Sequence, residues 1–380
     1  MKILMLNYEF PPLGGGAANA NYYLLKEFSK DKDLEIDVIT SSVGRFEKSK
    51  FSENINLYRL DIGKNKDNLH YQTNKDLLLF SLKAFKESIK LNKKNNYDLI
   101  HAWFGIPCGF IAMFLHKPFL VALRGSDVPF YNPRFRVVDK YFFKYLSRVI
   151  WKKSSSVVAN SEGLKTLAKE TSPKQKIAVI YNGVDTNEFL PVNRKKAGKT
   201  LRIILVSRLI KRKGINYLLD ALTQIKQENF HLMVIGDGNQ REYLEKMAKE
   251  AGLVNKVSFL GLVSHKSISQ YYSQSDLFIL PSLNEGMSNT VLEAMASGLP
   301  IITTNVGGSK ELIKGNGFVV NPRSSEEILD AIRKYLADPS LLTKHGKESR
   351  RIAERMSWEN VAKDYKNLYN SLLKNINESR

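Results

Sequence analysis

Short apolar runs alternate with amphipathic stretches along nearly the whole chain, and that rhythm restricts the fold to parallel sheets wrapped by helices. Runs suited to buried strands fall at residues 2–7, 36–40, 55–60, 98–103, 119–124, 155–161 and 177–182. Helical patterns lie between several of them, at about 17–29, 75–91, 108–115, 134–151 and 162–170. The stretch NGVDTNEFLPVNRKKAGKT (182–200) then breaks the rhythm with Gly, Pro, Asn and a basic cluster, as a linker does. Strand runs resume at 202–207, 231–238, 256–263, 276–282, 300–306 and 317–321, and helices close the chain at about 324–337, 340–355 and 358–376. A chain of 380 residues exceeds what one core usually serves. Two doubly wound α/β domains in tandem are expected.

Composition narrows the function classes. Hydrophobic residues make up 43% of the chain, which fits a cored globular protein. No run of about 18 apolar residues appears, so no membrane span is expected. Glu9 and Pro11 follow the first apolar run too early for a signal peptide, and the single cysteine, Cys108, fits a reducing, cytoplasmic setting. The formal charge of +20 admits acidic ligands or an anionic membrane surface. Nucleic acid is not expected, because the basic residues form no known reading motif. No Cys/His cluster points to a metal.

The densest chemistry lies in SDLFILPSLNEGMSNTVLEAMASGLP, residues 275–300. DLFIL reads as a buried strand, NEGMSN as a loop, and TVLEAMA as a helix stopped by Gly298 and Pro300. The junction presents Glu285 and Glu293 beside a helix start, whose free N–H groups favour an anion. Thr290-Val-Leu-Glu293 also fits a capping box, in which Glu293 would only satisfy a backbone N–H.

The run Glu285-Gly-Met-Ser-Asn-Thr-Val-Leu-Glu293 resembles the E-x7-E signature of retaining glycosyltransferases of family 4. VVANSEGLK, VIYNGVD, SRLIKRKG, VIGDG and FLGLV follow in that family's order, so the resemblance spans nearly the whole chain. It implies the GT-B fold, with two Rossmann-like domains facing across a cleft. It also implies a last helix that crosses back to the first domain near Trp358. The expected domains are therefore 1–185 completed by 357–380, on the acceptor side, and 186–356, which binds the nucleotide sugar.

Residue by residue, the resemblance assigns Arg208 and Lys213 to the leaving diphosphate, where negative charge builds as the sugar bond breaks. It places Glu293 on the ribose hydroxyls and Glu285 on the transferred sugar. Met287, Ser288, Asn289 and Thr290 would contact the donor through their backbone, and Val263 would read the base. Gly15 and Gly16, in the loop Gly14-Gly15-Gly16, would approach a phosphate or sugar from the first domain. Asp237 has no neighbouring aspartate to form a DxD metal motif, so a metal-independent enzyme is expected.

One position departs from the family. Where many relatives carry a histidine beside the donor sugar, this chain has Arg124, followed by Gly125, Ser126 and Asp127. Arg124 cannot accept a proton but could bind a phosphate. Asp127 and His101 are the remaining cleft candidates. No residue presents itself as a nucleophile for double displacement, so the family's front-face retaining chemistry is adopted by resemblance. The expected activity is transfer of a hexose to a glycan or lipid-linked saccharide in polysaccharide or glycoconjugate synthesis. A non-catalytic sugar-nucleotide-binding subunit and a nucleotide-sugar epimerase are the alternatives. Residues 134–153 and 75–94 have helical spacing with basic and apolar faces, as helices lying on anionic lipid do, or as ordinary surface helices do.

Overall fold

A computed structural model describes residues 1–65, 69, 72–132, 135–191 and 200–378. Residues 192–199 of the expected linker and residue 134 of the expected helix lie outside the described residues. The chain forms two compact units, Met1–Asn182 with Trp358–Arg380, and Gly183–Ser357.

In the first unit the strands are β1 (Lys2–Leu6), β2 (Glu35–Ser41), β3 (Glu47–Ser52), β4 (Ile55–Leu60), β5 (Leu99–Trp103), β6 (Phe119–Leu123), β7 (Ser156–Ala159) and β8 (Ala178–Val179). They lie in the order β3-β4-β2-β1-β5-β6-β7-β8. All pairings are parallel except β3 with β4. The central strands are buried on both faces, which is why each reads as a continuous apolar run. The sheet grows in both directions from β1, so its topological switch point lies between β1 and β5.

The purely parallel expectation needs one correction. β3, EKSKFS, is an antiparallel edge strand with largely exposed side chains, so it carries no apolar run to announce it. The expected helix at 108–115 shrinks to a wide, π-type turn at Gly105–Gly109 and one helical turn at Phe110–Ala112. Longer helices are set by local chemistry. Thr73 caps the helix Asn74–Asn95 by accepting the Asp76 N–H (3.1 Å), while the Asp76 carboxylate accepts the Thr73 N–H (2.9 Å). The last helix, Trp358–Glu378, belongs to this unit: Trp358 stacks on Tyr23 of the helix Gly16–Phe28, with ring centroids 6.0 Å apart.

The second unit holds β9 (Leu201–Val206), β10 (Phe230–Ile235), β11 (Val257–Gly261), β12 (Leu277–Leu280), β13 (Ile301–Thr304) and β14 (Gly317–Val320), in the all-parallel order β11-β10-β9-β12-β13-β14. β9 pairs with β10 on one side and β12 on the other, which puts this unit's switch point between β9 and β12. Ligands of open α/β sheets bind in the crevice at that point, beyond the strands' carboxyl ends.

Candidate active site

The loops leaving β9 and β12 carry the residues singled out in the sequence. After β9 come Arg208, a short 3-10 turn at Lys211–Lys213, and the helix Ile215–Thr223. After β12 comes the loop that holds Glu285, then the helix Asn289–Ala296. Two backbone devices hold these loops together. The Leu283 N–H donates to the Arg212 carbonyl (2.8 Å). Gly214 has φ +63° and lies so close to Pro281 that a Cβ would sit 2.2 Å from its carbonyl oxygen.

Across this junction the Lys213 ammonium pairs with the Glu285 carboxylate, to which Ser282 Oγ also donates (2.7 Å). Burial pushes the Glu285 carboxyl up, but Lys213, Ser282 and Arg212 more than offset it and hold the group below the usual carboxylate range. Glu285 is therefore ionised at neutral pH although nearly buried. The loop after β13 supports it from behind: the Gly308 N–H donates to the Gly286 carbonyl (2.7 Å), and Gly307, at φ +50°, leaves no room for a Cβ beside the Glu285 carbonyl. Arg208 is exposed at the same strand ends.

Glu293 is not a capping residue. Ser288 is the N-cap, its Oγ accepting the Val291 N–H at 3.4 Å, and Glu293 lies inside the helix as a buried side chain. Its carboxylate accepts the Tyr272 hydroxyl (2.9 Å), and burial followed by Glu293 holds that phenol far above its ordinary pKa. Met287 and Ser288 are buried in the loop, Asn289 and Thr290 are partly exposed in the first helical turn, and Val263 is half-buried beyond β11. Ser282, Tyr272 and the Gly307-Gly308 pair were not singled out in the sequence. Of these only the glycine pair carries a local signal.

In the first unit, the loop after β1 leads into the helix Gly16–Phe28. The Gly15 N–H donates to the Glu9 carboxylate (3.4 Å), and Gly14, at φ +95°, packs against the same side chain. Gly16 is exposed. Glu9 thus puts a negative charge where the helix start favours an anion, which counts against a phosphate there and leaves the loop suited to hydroxyls.

His101, Arg124 and Asp127 have internal partners. His101, a cleft candidate in the sequence, is instead fully buried: Nδ1 lies 2.7 Å from the Tyr369 hydroxyl, and the ring stacks on Trp103. Burial, then the Arg124 charge, hold its pKa well below that of ordinary imidazole, so it is neutral. Arg124 donates from its two Nη atoms to Asn182 Oδ1 and the Tyr365 hydroxyl, both at 2.9 Å, and lies 3.5 Å over the Trp103 ring. Asp127 accepts the N–H groups of Gly105 (2.7 Å), Arg124 (2.9 Å) and Gly125 (3.0 Å), although burial raises its pKa. Asp237 pairs with Arg241 at 3.1 Å. Among the described residues no cluster of three or more His, Cys, Asp or Glu is placed to hold a metal.

Tandem doubly wound units, the second with acidic and basic loops meeting over its switch point, define a two-unit α/β protein of Rossmann-like construction. Residues 14–188 match the family Glycosyltransferase Family 4, and residues 186–352 match Glycosyl transferases group 1. An uncharacterised glycosyltransferase of Methanocaldococcus jannaschii is 28% identical, over 97% of this chain and 98% of its own. A GDP-mannose-dependent alpha-(1-6)-phosphatidylinositol monomannoside mannosyltransferase of Mycobacterium tuberculosis is 29% identical, over 51% of this chain and 56% of its own. Among solved structures, sucrose-phosphate synthase of Thermosynechococcus elongatus superposes with a TM-score of 0.86 at 22% identity, covering 98% of this chain and 99% of that one. The chain belongs to the group 1, family 4 glycosyltransferases and has the GT-B fold.

Proposed function

We propose that the protein moves a hexose from a nucleotide sugar to a glycan or lipid-linked saccharide, with retention at the anomeric carbon and without a metal ion. The observation that carries this reading is the Lys213–Glu285 pair bridging the β9 and β12 loops at the switch point. It sets a cation for the leaving diphosphate beside a carboxylate for the sugar that departs from it. An ammonium has three donors, so Lys213 can hold a phosphate oxygen while keeping Glu285.

In this reading Arg208 and Lys213 neutralise the diphosphate as the bond from its oxygen to the anomeric carbon breaks. Glu285 holds a sugar hydroxyl and stabilises positive charge on the ring, with the backbone of Met287, Ser288, Asn289 and Thr290 around it. Glu293, oriented by Tyr272, accepts the ribose hydroxyls, and Val263 meets the base. Gly15 and Gly16 meet sugar or acceptor hydroxyls. The acceptor oxygen bonds to the anomeric carbon on the face the diphosphate leaves, and its proton passes to the leaving phosphate. The relative from M. tuberculosis, GDP-mannose-dependent by name, supports a nucleotide sugar as donor. The proposed location is cytoplasmic, on an anionic membrane surface. No helix among the described residues is long and apolar enough to cross a membrane.

A subunit that binds sugar nucleotide without transferring it is the second reading, favoured by Arg124 at the usual histidine position. A thermal-shift screen against nucleotide sugars, with and without EDTA, tests the donor site. One donor should raise the melting temperature equally in both conditions; no shift with any donor contradicts it. Product formation from that donor then separates transferase from subunit.

A further inference from the structure

Residues 135–153 of the first unit form a helical turn at Arg136–Val138, a wider turn at Asp139–Phe143 and the helix Lys144–Lys153. An ordinary surface helix buries its apolar stripe and solvates its charges. This segment buries one apolar set and exposes a second. Ile150 and Trp151 are fully buried, yet Tyr141 is 69% exposed, Phe142 57% and Tyr145 57%, with Val138 and Val149 also exposed. Positions 138, 141, 142, 145 and 149 follow the i, i+3, i+4, i+7 spacing of one helical stripe.

Charge follows the same division. Arg136, Lys140, Lys152 and Lys153 are exposed, whereas Lys144 and Arg148 are partly buried, Arg148 Nε donating to the Thr171 carbonyl at 2.6 Å. The acid of this segment, Asp139, is turned inward, where its carboxylate accepts the Phe130 N–H at 2.8 Å. The outward face is therefore aromatic and cationic. The helix Asn74–Asn95 shows a similar split: Leu78, Leu82 and Phe85 are exposed, and Phe85 meets the exposed ring of Phe114 at 6.2 Å. Both helices pack against the turn Gly105–Gly109.

We propose that the first unit docks on an anionic lipid surface through residues 136–153, with Tyr141, Phe142 and Tyr145 entering the headgroup layer and Arg136, Lys140, Lys152 and Lys153 meeting lipid phosphates. Aromatic rings with one polar end settle at that depth, and each nearby cation adds attraction to an anionic leaflet. A second copy of this chain fits the face poorly, because it would set one basic row against another. The inference rests on the membrane partner named in the proposed function, and supplies the surface that meets it.

Flotation of the full chain with vesicles tests it. Vesicles of equal parts phosphatidylcholine and phosphatidylglycerol should carry the protein, and pure phosphatidylcholine should not. The triple variant Tyr141→Ser, Phe142→Ser, Tyr145→Ser should lose binding with its charge intact. Lys140→Glu, Lys152→Glu, Lys153→Glu should weaken it by on the order of 10²-fold or more. The matched reversal Lys226→Glu, Lys246→Glu, Lys249→Glu on the second unit should not. All these side chains are exposed and the contacts they make lie on the surface, so melting temperatures should stay at the wild-type value. Equal binding by all variants, or binding indifferent to lipid charge, overturns the proposal. So does a dimer in light scattering that the aromatic variant dissolves. Hydrolysis of a soluble nucleotide sugar is read on the same samples: vesicle binding without hydrolysis sinks only the transfer reaction, and hydrolysis without vesicle binding sinks only the docking surface.

Discussion

Substituting Lys213→Met strands the carboxylate of Glu285. The two side chains are only 13% and 10% exposed, so solvent screens little of their interaction. Removing one partner of a buried pair costs about 3–5 kcal/mol, because the remaining charge is left without its counter-ion. The pH dependence identifies the cause. In the wild type, burial raises the Glu285 pKa but its partners bring it below the ordinary value. The group therefore adds stability that is present above the unfolded carboxylate pKa and lost as pH falls through the folded one. In the variant burial prevails, the folded pKa lies above the unfolded one, and the sign reverses: the charge destabilises at high pH, and acid relieves it. The loss should be about 3–5 kcal/mol at pH 8 and shrink to about 1 kcal/mol at pH 4. For the second unit this corresponds to roughly 6–20 °C in melting temperature at pH 8. Scanning calorimetry of Lys213→Met, Glu285→Gln and the double variant reads it, and at pH 8 the double variant should lie nearer the wild type than Lys213→Met does. Equal losses at both pH values, or additive single effects, would refute the reasoning.

Other sites make sharper functional or structural demands. Glu293→Gln should raise the donor dissociation constant about 10–100-fold by calorimetry, since charge-assisted hydrogen bonds to the ribose are weakened. Gly214→Ala should cost at least about 2 kcal/mol in urea denaturation, because φ +63° and the Pro281 carbonyl both oppose a Cβ. Tyr365→Phe should lower the stability of the first unit by about 1–3 kcal/mol, leaving Arg124 Nη2 without its acceptor, while the second unit melts unchanged. Transfer activity should be the same before and after EDTA treatment.

Much of this architecture is legible in the chain because parallel strands buried on both faces leave continuous apolar runs, and the loops between them are small and polar. β3 escapes such a reading, since EKSKFS lies on an exposed edge and needs no apolar face. At Glu293, Thr-x-x-Glu spacing fits a capping box, but the helix begins ahead of Thr290, capped by Ser288, and Glu293 is buried inside it against Tyr272, 21 residues earlier. His101 is expected at a strand end but lies mid-strand in β5, fully buried, where its ring meets Tyr369, 268 residues later. The pairing of Lys213 with Glu285, 72 residues apart, likewise depends on β9 lying beside β12. Spacing names the participants; the strand order decides which of them meet.

The most direct test of the central claim is product analysis after incubation with the donor that shifts the melting temperature. Wild type should release nucleoside diphosphate and form a product, or free sugar, that initially keeps the donor's anomeric configuration. Glu285→Gln should bind the same donor and release at least about 10²-fold less. Inverted product, or undiminished release by Glu285→Gln, would contradict the account.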